Sequence, residues 1–254
     1  MSGIRSISYI RYVSGRLKHV QGWVVEEIPL CLRVNGQPWI TLMCSPHDLE
    51  DLVLGYLRSE GVISSTNDVL EMQWDTSSSC VNVRVASSTP LPEHPTRTTG
   101  CEGGVTFADL AETLPPIRSS WTISPEHIIR QMQDLLRSAP LYRQARGIHS
   151  AGLSDGHRLL LHVEDVGRHN ALDRLWGRAM REGIEMGEHF ILTTGRISAE
   201  MLRKVTLMRI PLIASRTSPT ALSLELAQAW GVTIIGYVRS YSLRVYTHPE
   251  RVRE

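Results

Sequence analysis

The sequence predicts an α/β protein in which a small mixed α+β unit precedes a larger domain of strands and covering helices. Three observations point there. The second half alternates strand-like apolar runs with amphipathic helical runs, the pattern of a sheet clothed by helices. The first third instead carries a hairpin signal, one helix and two further strands. Between them, from Ser87 to Gly104, the composition shifts to Ser, Thr, Pro and Gly, which marks a loop or a domain boundary. The expected organisation is residues 1–95, a linking loop at 96–114, and a second domain at 115–254.

The elements follow in order. MSGIRSISYIRYVSGRLKH holds Arg5, Arg11, Arg16 and Lys18, no acid and no apolar signal-peptide core, and reads as a basic, loosely ordered N-terminal tail. IPLCLRVNGQPWITLMCS alternates apolar and polar residues on both sides of Asn35-Gly36, a strong hairpin signal. Ser45-Pro46 opens a helix with Leu49, Leu52, Val53 and Leu57 on one face and Gly61 beyond its end. VLEMQWD and CVNVRVAS read as strands. In ISPEHIIRQMQDLLRSA, Ser124 is the N-cap, Pro125 the first helical residue, and Ile128, Ile129, Met132, Leu135 and Leu136 share a face. RLLLHVEDV then leads through Gly167 into RHNALDRLWGRAMREG. HFILTTG leads through Arg196 into SAEMLRKVTLM, and PLIAS through Arg216 to Ser218 into PTALSLELAQAWG. VTIIGYV and LRVYTH complete the pattern as strands.

Totals narrow the function. The 254 residues carry 27 Lys and Arg against 26 Asp and Glu, a net charge of +1, so the basic excess of a nucleic-acid binder is missing. No apolar run approaches the roughly 18 residues of a membrane span. Cys31, Cys44, Cys80 and Cys101 show no C-x-x-C spacing, which argues against a zinc knuckle or a thioredoxin-type pair and suits a reducing compartment. His162-Val163-Glu164 matches half of a zinc deaminase signature, but the P-C-x-x-C half is absent, leaving a metal without most of its ligands.

Two features carry chemistry. The turns Gly167-Arg168-His169-Asn170, Gly195-Arg196-Ile197-Ser198 and Ser215-Arg216-Thr217-Ser218 each follow a predicted strand and open a helix. In an open α/β sheet such turns gather at one edge, where free N–H groups and arginines favour anions, so Arg168, Arg196 and Arg216 point to a phosphate-rich ligand. Cys31, Cys44 and Cys80 lie in strand patterns and read as structural thiols. Cys101, in TTGCEGGVTF, sits among Gly100, Gly103 and Gly104, whose backbone amides could stabilise a thiolate.

The runs IPLCLRVNGQPWITLMCSPHDLEDLVLGYLRSEGVI, TTGC, GIHSAGL, VEDVGRHNALDRLWG, LTTGRISAEMLRKV, ASRTSPTALSLELAQAWGVTIIGYVR and YTHPERV resemble the formate dehydrogenase accessory sulfurtransferases, the FdhD family. The resemblance runs from about Ile28 to Val252. It implies a cytoplasmic homodimer whose larger domain is cytidine-deaminase-like and zinc-free. It implies an enzyme that takes persulfide sulfur from a cysteine desulfurase on Cys101. The acceptor would be the bis(molybdopterin guanine dinucleotide) molybdenum cofactor destined for formate dehydrogenase. It places the cofactor-binding stretch on Tyr237, Val238, Arg239, Ser240, Tyr241 and Ser242. Many members carry C-x-x-C at the active loop; here Gly104 takes the second position, which weakens a redox-switch role more than a carrier role. The competing expectation is a non-catalytic chaperone that holds the cofactor for formate dehydrogenase.

Overall fold

The computed structural model describes residues 3–75, 77–86 and 114–254. The chain opens with a hairpin. Strands β1 (Ile4–Val13) and β2 (Arg16–Val25) pair antiparallel in ten register positions, from Ile4 opposite Val25 to Val13 opposite Arg16. Ser14 and Gly15 both take positive φ, 50° and 82°, which matches the right-handed strand twist at a two-residue turn. The loosely ordered tail expected here is therefore a hairpin. Its basic residues are solvated positions on strands of Ile, Tyr, Val and Trp, whose β propensity outweighs the charge.

The first sheet has the order β4-β3-β6-β5, from β3 (Ile28–Val34), β4 (Gln37–Cys44), β5 (Val69–Asp75) and β6 (Cys80–Val85). Asn35-Gly36 makes the predicted turn, with φ of 49° and 80°. Leu30, Leu32, Val34, Leu42, Val81, Val83 and Val85 face one way and are buried against helix α1 (Leu49–Ser59). This helix starts later than Pro46, because Asp48 in the left-handed region breaks the chain before it, and Gly61 ends the turn that follows it at φ 73°.

The second sheet has the order β12-β11-β10-β9-β7-β8. Its strands are β7 (His149–Ser154), β8 (Leu159–Asp165), β9 (Phe190–Thr193), β10 (Leu212–Ser215), β11 (Thr233–Gly236) and the short β12 (Arg244–Val245). Strands β9, β10 and β11 run parallel, β7 runs against β9, and β8 runs against β7. Helices α2 (Pro125–Ser138), α3 (Pro140–Ala145), α4 (Arg168–Arg181), α5 (Ala199–Leu207) and α6 (Ala221–Trp230) complete the unit. Two apolar clusters cover the two faces of this sheet: Ala151, Leu153, Ile191, Ile213 and Ile234 pack toward α4, α5 and α6, while Phe190, Leu192, Leu212 and Ala214 pack toward α2. The expected α/β class is what the structure has. Strand β7 and helix α3 were not foreseen, and the predicted last strand, LRVYTH, is reduced to two residues.

Helix α1 of the first unit lies directly on α4 of the second. A Cβ on Gly55 would sit 1.7 Å from the Asp173 carbonyl oxygen, and one on Gly177 would sit 1.9 Å from that of Asp51. Only glycines permit that approach. Asp51 on α1 accepts from Arg178 Nε at 2.6 Å, and Arg181 adds ion pairs with Glu50 and Asp51 at 2.8 and 2.9 Å.

Candidate functional site: a cationic sheet edge

The β9, β10 and β11 strands end at one edge because they are parallel, and β8 ends there too because two reversals restore its direction. The turns bearing Arg168, Arg196 and Arg216 are thus brought together as the spacing predicted. His149, which begins β7, sits between the first two: a Cβ on Gly195 would lie 2.8 Å from the Arg168 Cβ and 3.6 Å from His149 Nδ1. The lack of a side chain at Gly195 is what lets the Arg168 stem cross this turn.

The four cations fall into two neighbouring pairs. Arg168 is half-buried and Arg196 exposed. Burial first, then the positive charge of Arg196, disfavours the charged form of Arg168, while Glu200 favours it. Arg216 is disfavoured by burial and then by Arg239. Arginine does not shed its proton at neutral pH, so these pressures stand as positive potential at the edge, offset in part by Glu200. Arg168 Nε is buried with no hydrogen-bond partner among the described residues. A buried donor left unpaired costs on the order of 1–3 kcal/mol, which an anion at this edge would recover.

The stretch Tyr237–Ser242 forms a pinned turn next to Arg216. Tyr237 N–H donates to the Thr217 carbonyl at 3.0 Å, Val238 N–H to the Ser215 carbonyl at 3.0 Å, and Arg239 N–H to the Ser242 carbonyl at 2.7 Å. Tyr237 adopts φ 52°, a conformation a bulky residue takes only when its surroundings impose it. Its ring lies 4.4 Å from the Arg244 guanidinium and 6.0 Å from that of Arg239, which also donates to the Arg216 carbonyl. Arg239, Ser240, Tyr241 and Ser242 are exposed, and Tyr241 is 98% so. Val238 is fully buried in the core facing α2, so only its backbone can meet a ligand.

Behind the edge lies a polar cluster that sequence reasoning missed. His169 Nδ1, in the first turn of α4, is 3.3 Å from Glu200 Oε1, in the first turn of α5. Burial pushes the Glu200 carboxyl up to about 7 against the pull of Lys204, and holds His169 well below the ordinary imidazole value. Lys204 Nζ meets both Asp173 oxygens at 2.6 Å, and burial raises Asp173 to about 6. No short motif marks this set. Its members come from α4 and α5, 31 residues apart for Lys204 and Asp173, and only packing unites them.

The half-signature His162-Val163-Glu164 has a structural use. Glu164 accepts from the N–H groups of Leu141 and Tyr142 at 3.0 and 2.7 Å, capping α3. Burial lowers His162 to about 4. Among the described residues no group of three or more His, Cys, Asp or Glu is placed to hold a metal ion. Likewise no helix among them is long and apolar enough to cross a membrane. Cys101 lies outside the described residues.

Fold and edge together define a class: an α/β protein with an anion-directed edge built from strand-to-helix turns. The chain belongs to the FdhD/NarQ family, whose family model matches residues 25–253. The protein named "Sulfur carrier protein FdhD" from Bacillus subtilis is 36% identical over 250 residues, covering 96% of this chain and 95% of that protein. Its namesake from Staphylococcus haemolyticus is 34% identical over 252 residues, covering 97% and 96%. A crystal structure from Desulfotalea psychrophila, described as that of a candidate formate dehydrogenase accessory protein, superimposes with a TM-score of 0.84. It is 27% identical, covering 99% of this chain and 100% of that one.

Proposed function

We propose that the protein is a sulfur carrier serving formate dehydrogenase. Cys101 takes persulfide sulfur from a cysteine desulfurase and delivers it to the bis(molybdopterin guanine dinucleotide) molybdenum cofactor, bound as substrate at the cationic edge. The observation that supports this best is the convergence of Arg168, Arg196, Arg216 and Arg239 on one edge, with the Arg168 Nε left without a partner among the described residues. That potential suits the diphosphates of the guanine dinucleotide arms. The exposed Tyr241 ring on its pinned turn offers a stacking face for a base.

The chemistry needs one thiol. Cys101 thiolate attacks the outer sulfur of the desulfurase persulfide, a sulfur–sulfur bond forms on Cys101, and the desulfurase cysteine leaves as thiolate. The Cys101 persulfide then gives up its terminal zero-valent sulfur to the cofactor in its reduced state, whose metal supplies the two electrons that make it sulfide, and Cys101 leaves as thiolate. Gly104 in the place of a second thiol prevents an internal attack that would release sulfide and close a disulfide. A soluble homodimer in the cytoplasm is part of the same proposal.

Incubation with a cysteine desulfurase and cysteine should add one sulfur atom to Cys101, read by mass spectrometry, and Cys101→Ala should accept none there. Equal sulfur uptake by Cys101→Ala would overturn the carrier role. In cells lacking the native gene, Cys101→Ala should fail to restore formate dehydrogenase activity. If it restores activity while Arg239→Ala does not, the non-catalytic chaperone is the correct reading.

A further inference from the structure

The first sheet holds a feature that linear spacing hides. Cys31 on β3 and Cys80 on β6 are 49 positions apart, yet they are register partners on adjacent parallel strands. Their placement is fixed by the ladder: Cys31 N–H donates to the Ser79 carbonyl at 2.9 Å, and Asn35 N–H to that of Val83 at 2.9 Å. Leu30, Leu32, Val81 and Val83 point into the core, so by strand alternation the two thiols share the opposite, outer face. Both are free and half-buried. The sequence places both in strands as structural thiols; pairing across the sheet adds that they stand side by side.

Their surroundings suit thiol chemistry. A hydrogen bond with Cys80, then burial, raises the Cys31 thiol above its ordinary value, while the Arg33 charge two residues along the same face lowers it. Cys80 opens onto a cavity of about 470 Å³ bounded by Arg33, Gln73, Trp74, Asp75 and Asn82. Asp75, whose carboxyl is lowered to about 2 by the hydroxyls of Ser77 and Ser78 at 2.6 Å each, lines the cavity together with Arg33, so an incoming group meets one carboxylate and one cation. Neighbouring strands lie about 4.8 Å apart, within the Cα separation a disulfide spans.

We propose that Cys31 and Cys80 form a dithiol site that reacts with low-molecular-weight disulfides bearing both ammonium and carboxylate groups and closes to a reversible Cys31–Cys80 disulfide. Cys80 thiolate attacks one sulfur of the small disulfide, forming a mixed disulfide and releasing one small thiolate. Cys31, giving its proton to solvent, attacks the Cys80 sulfur and expels the second small thiol. Two protein thiols are oxidised and one small disulfide is reduced to two thiols. The product joins β3 to β6, the two central strands of the sheet.

This site is independent of the sulfur-carrier reading, and its test involves no sulfur donor or cofactor. The full chain carrying Cys101→Ser, which removes the one thiol outside the described residues, is incubated with oxidised glutathione and mapped by non-reducing peptide mass spectrometry. The expected result is a linked Cys31–Cys80 peptide pair, two hydrogens lighter than the sum, reversed by dithiothreitol. Cys44, fully buried and with its thiol pushed up to about 12 by burial, should remain unmodified. In the additional variant Cys31→Ser, Cys80 should stop at the mixed disulfide with glutathione. Unmodified thiols, or stable mixed disulfides on both cysteines with Cys31 intact, would overturn the proposal. So would a link that appears only after the chain is unfolded in urea.

Discussion

Arg168 and Arg174 stand six residues apart on the same helix and meet opposite fates. Arg174, at the seam between the two units, is fully buried, and its partners are complete. It pairs with Asp165 Oδ2 at 2.7 Å, donates to the Ser45 carbonyl at 2.6 Å, and donates to that of His47. Asp165 in turn accepts from Ser45 N–H, Gly167 N–H and Asn170 Nδ2 at 3.2, 2.8 and 3.0 Å. Arg168, at the sheet edge, has a buried Nε without a partner among the described residues and a second arginine beside it. The difference separates two uses of one residue type. A buried charge whose valences are met inside the chain fixes structure, whereas one left short is poised for something from outside.

Substitutions at the two places sharpen or break that contrast. The largest effect is expected from Arg174→Met, which strands Asp165 as an unpaired buried charge and should cost roughly 3–5 kcal/mol in urea unfolding. A loss below about 1 kcal/mol would mean the seam is not the structural half of the pair. Gly177→Ala comes next: its Cβ cannot coexist with the Asp51 carbonyl, so α1 and α4 must separate, at roughly 3 kcal/mol. Unchanged thermal unfolding would show that the helices slide apart freely.

Glu200, just behind the edge, has an intermediate and pH-dependent effect. Its folded pKa of about 7 lies above the ordinary 4.5, so the native state retains a proton that the unfolded state has lost between those values. Its stabilising contribution is whole below about pH 4.5 and declines as pH rises to about 7. Glu200→Gln should therefore match the wild type at pH 4 and exceed it by roughly 3 kcal/mol at pH 8. Equal unfolding free energies at both pH values would remove the buried carboxyl from the account. The smallest stability change belongs to Arg168→Gln, which should match the wild type or exceed it by about 1 kcal/mol, because it removes a buried Nε unpartnered among the described residues and the repulsion of Arg196, against only the pull of Glu200. Its effect should appear in binding, with guanosine diphosphate affinity down about tenfold and the salt dependence of binding reduced. Unaltered affinity would detach Arg168 from the ligand site.

Much of this was legible in the sequence where the signal is local. Asn35-Gly36 made the predicted turn, Ser124-Pro125 began α2, and the three Gly- or Ser-Arg turns fell on one edge because parallel strands share a direction. Local signals also misled. Arg5, Arg11, Arg16 and Lys18 suggested a loose tail, although Ser14-Gly15 between β-forming runs is itself a hairpin signal. Strand β7 escaped notice since His149–Ser154 holds small residues, chosen for a crowded central position: a Cβ on Gly152 would come within 2.7 Å of the Leu159 side chain. Within the Tyr237–Ser242 stretch that the resemblance points to, the Val238 side chain turns into the core and leaves only its backbone at the edge.

What the sequence determined by itself was therefore whatever depends on a few consecutive residues: turns, caps, periodic faces, and the order of strands and helices. Only the tertiary structure decided which distant groups meet. It set Arg174 against Asp165, Lys204 against Asp173, Glu200 beside His169, and Cys31 beside Cys80. The physical reason is that strand register and helix crossing are collective outcomes of burying the whole apolar surface. Neither is encoded at the positions they bring together.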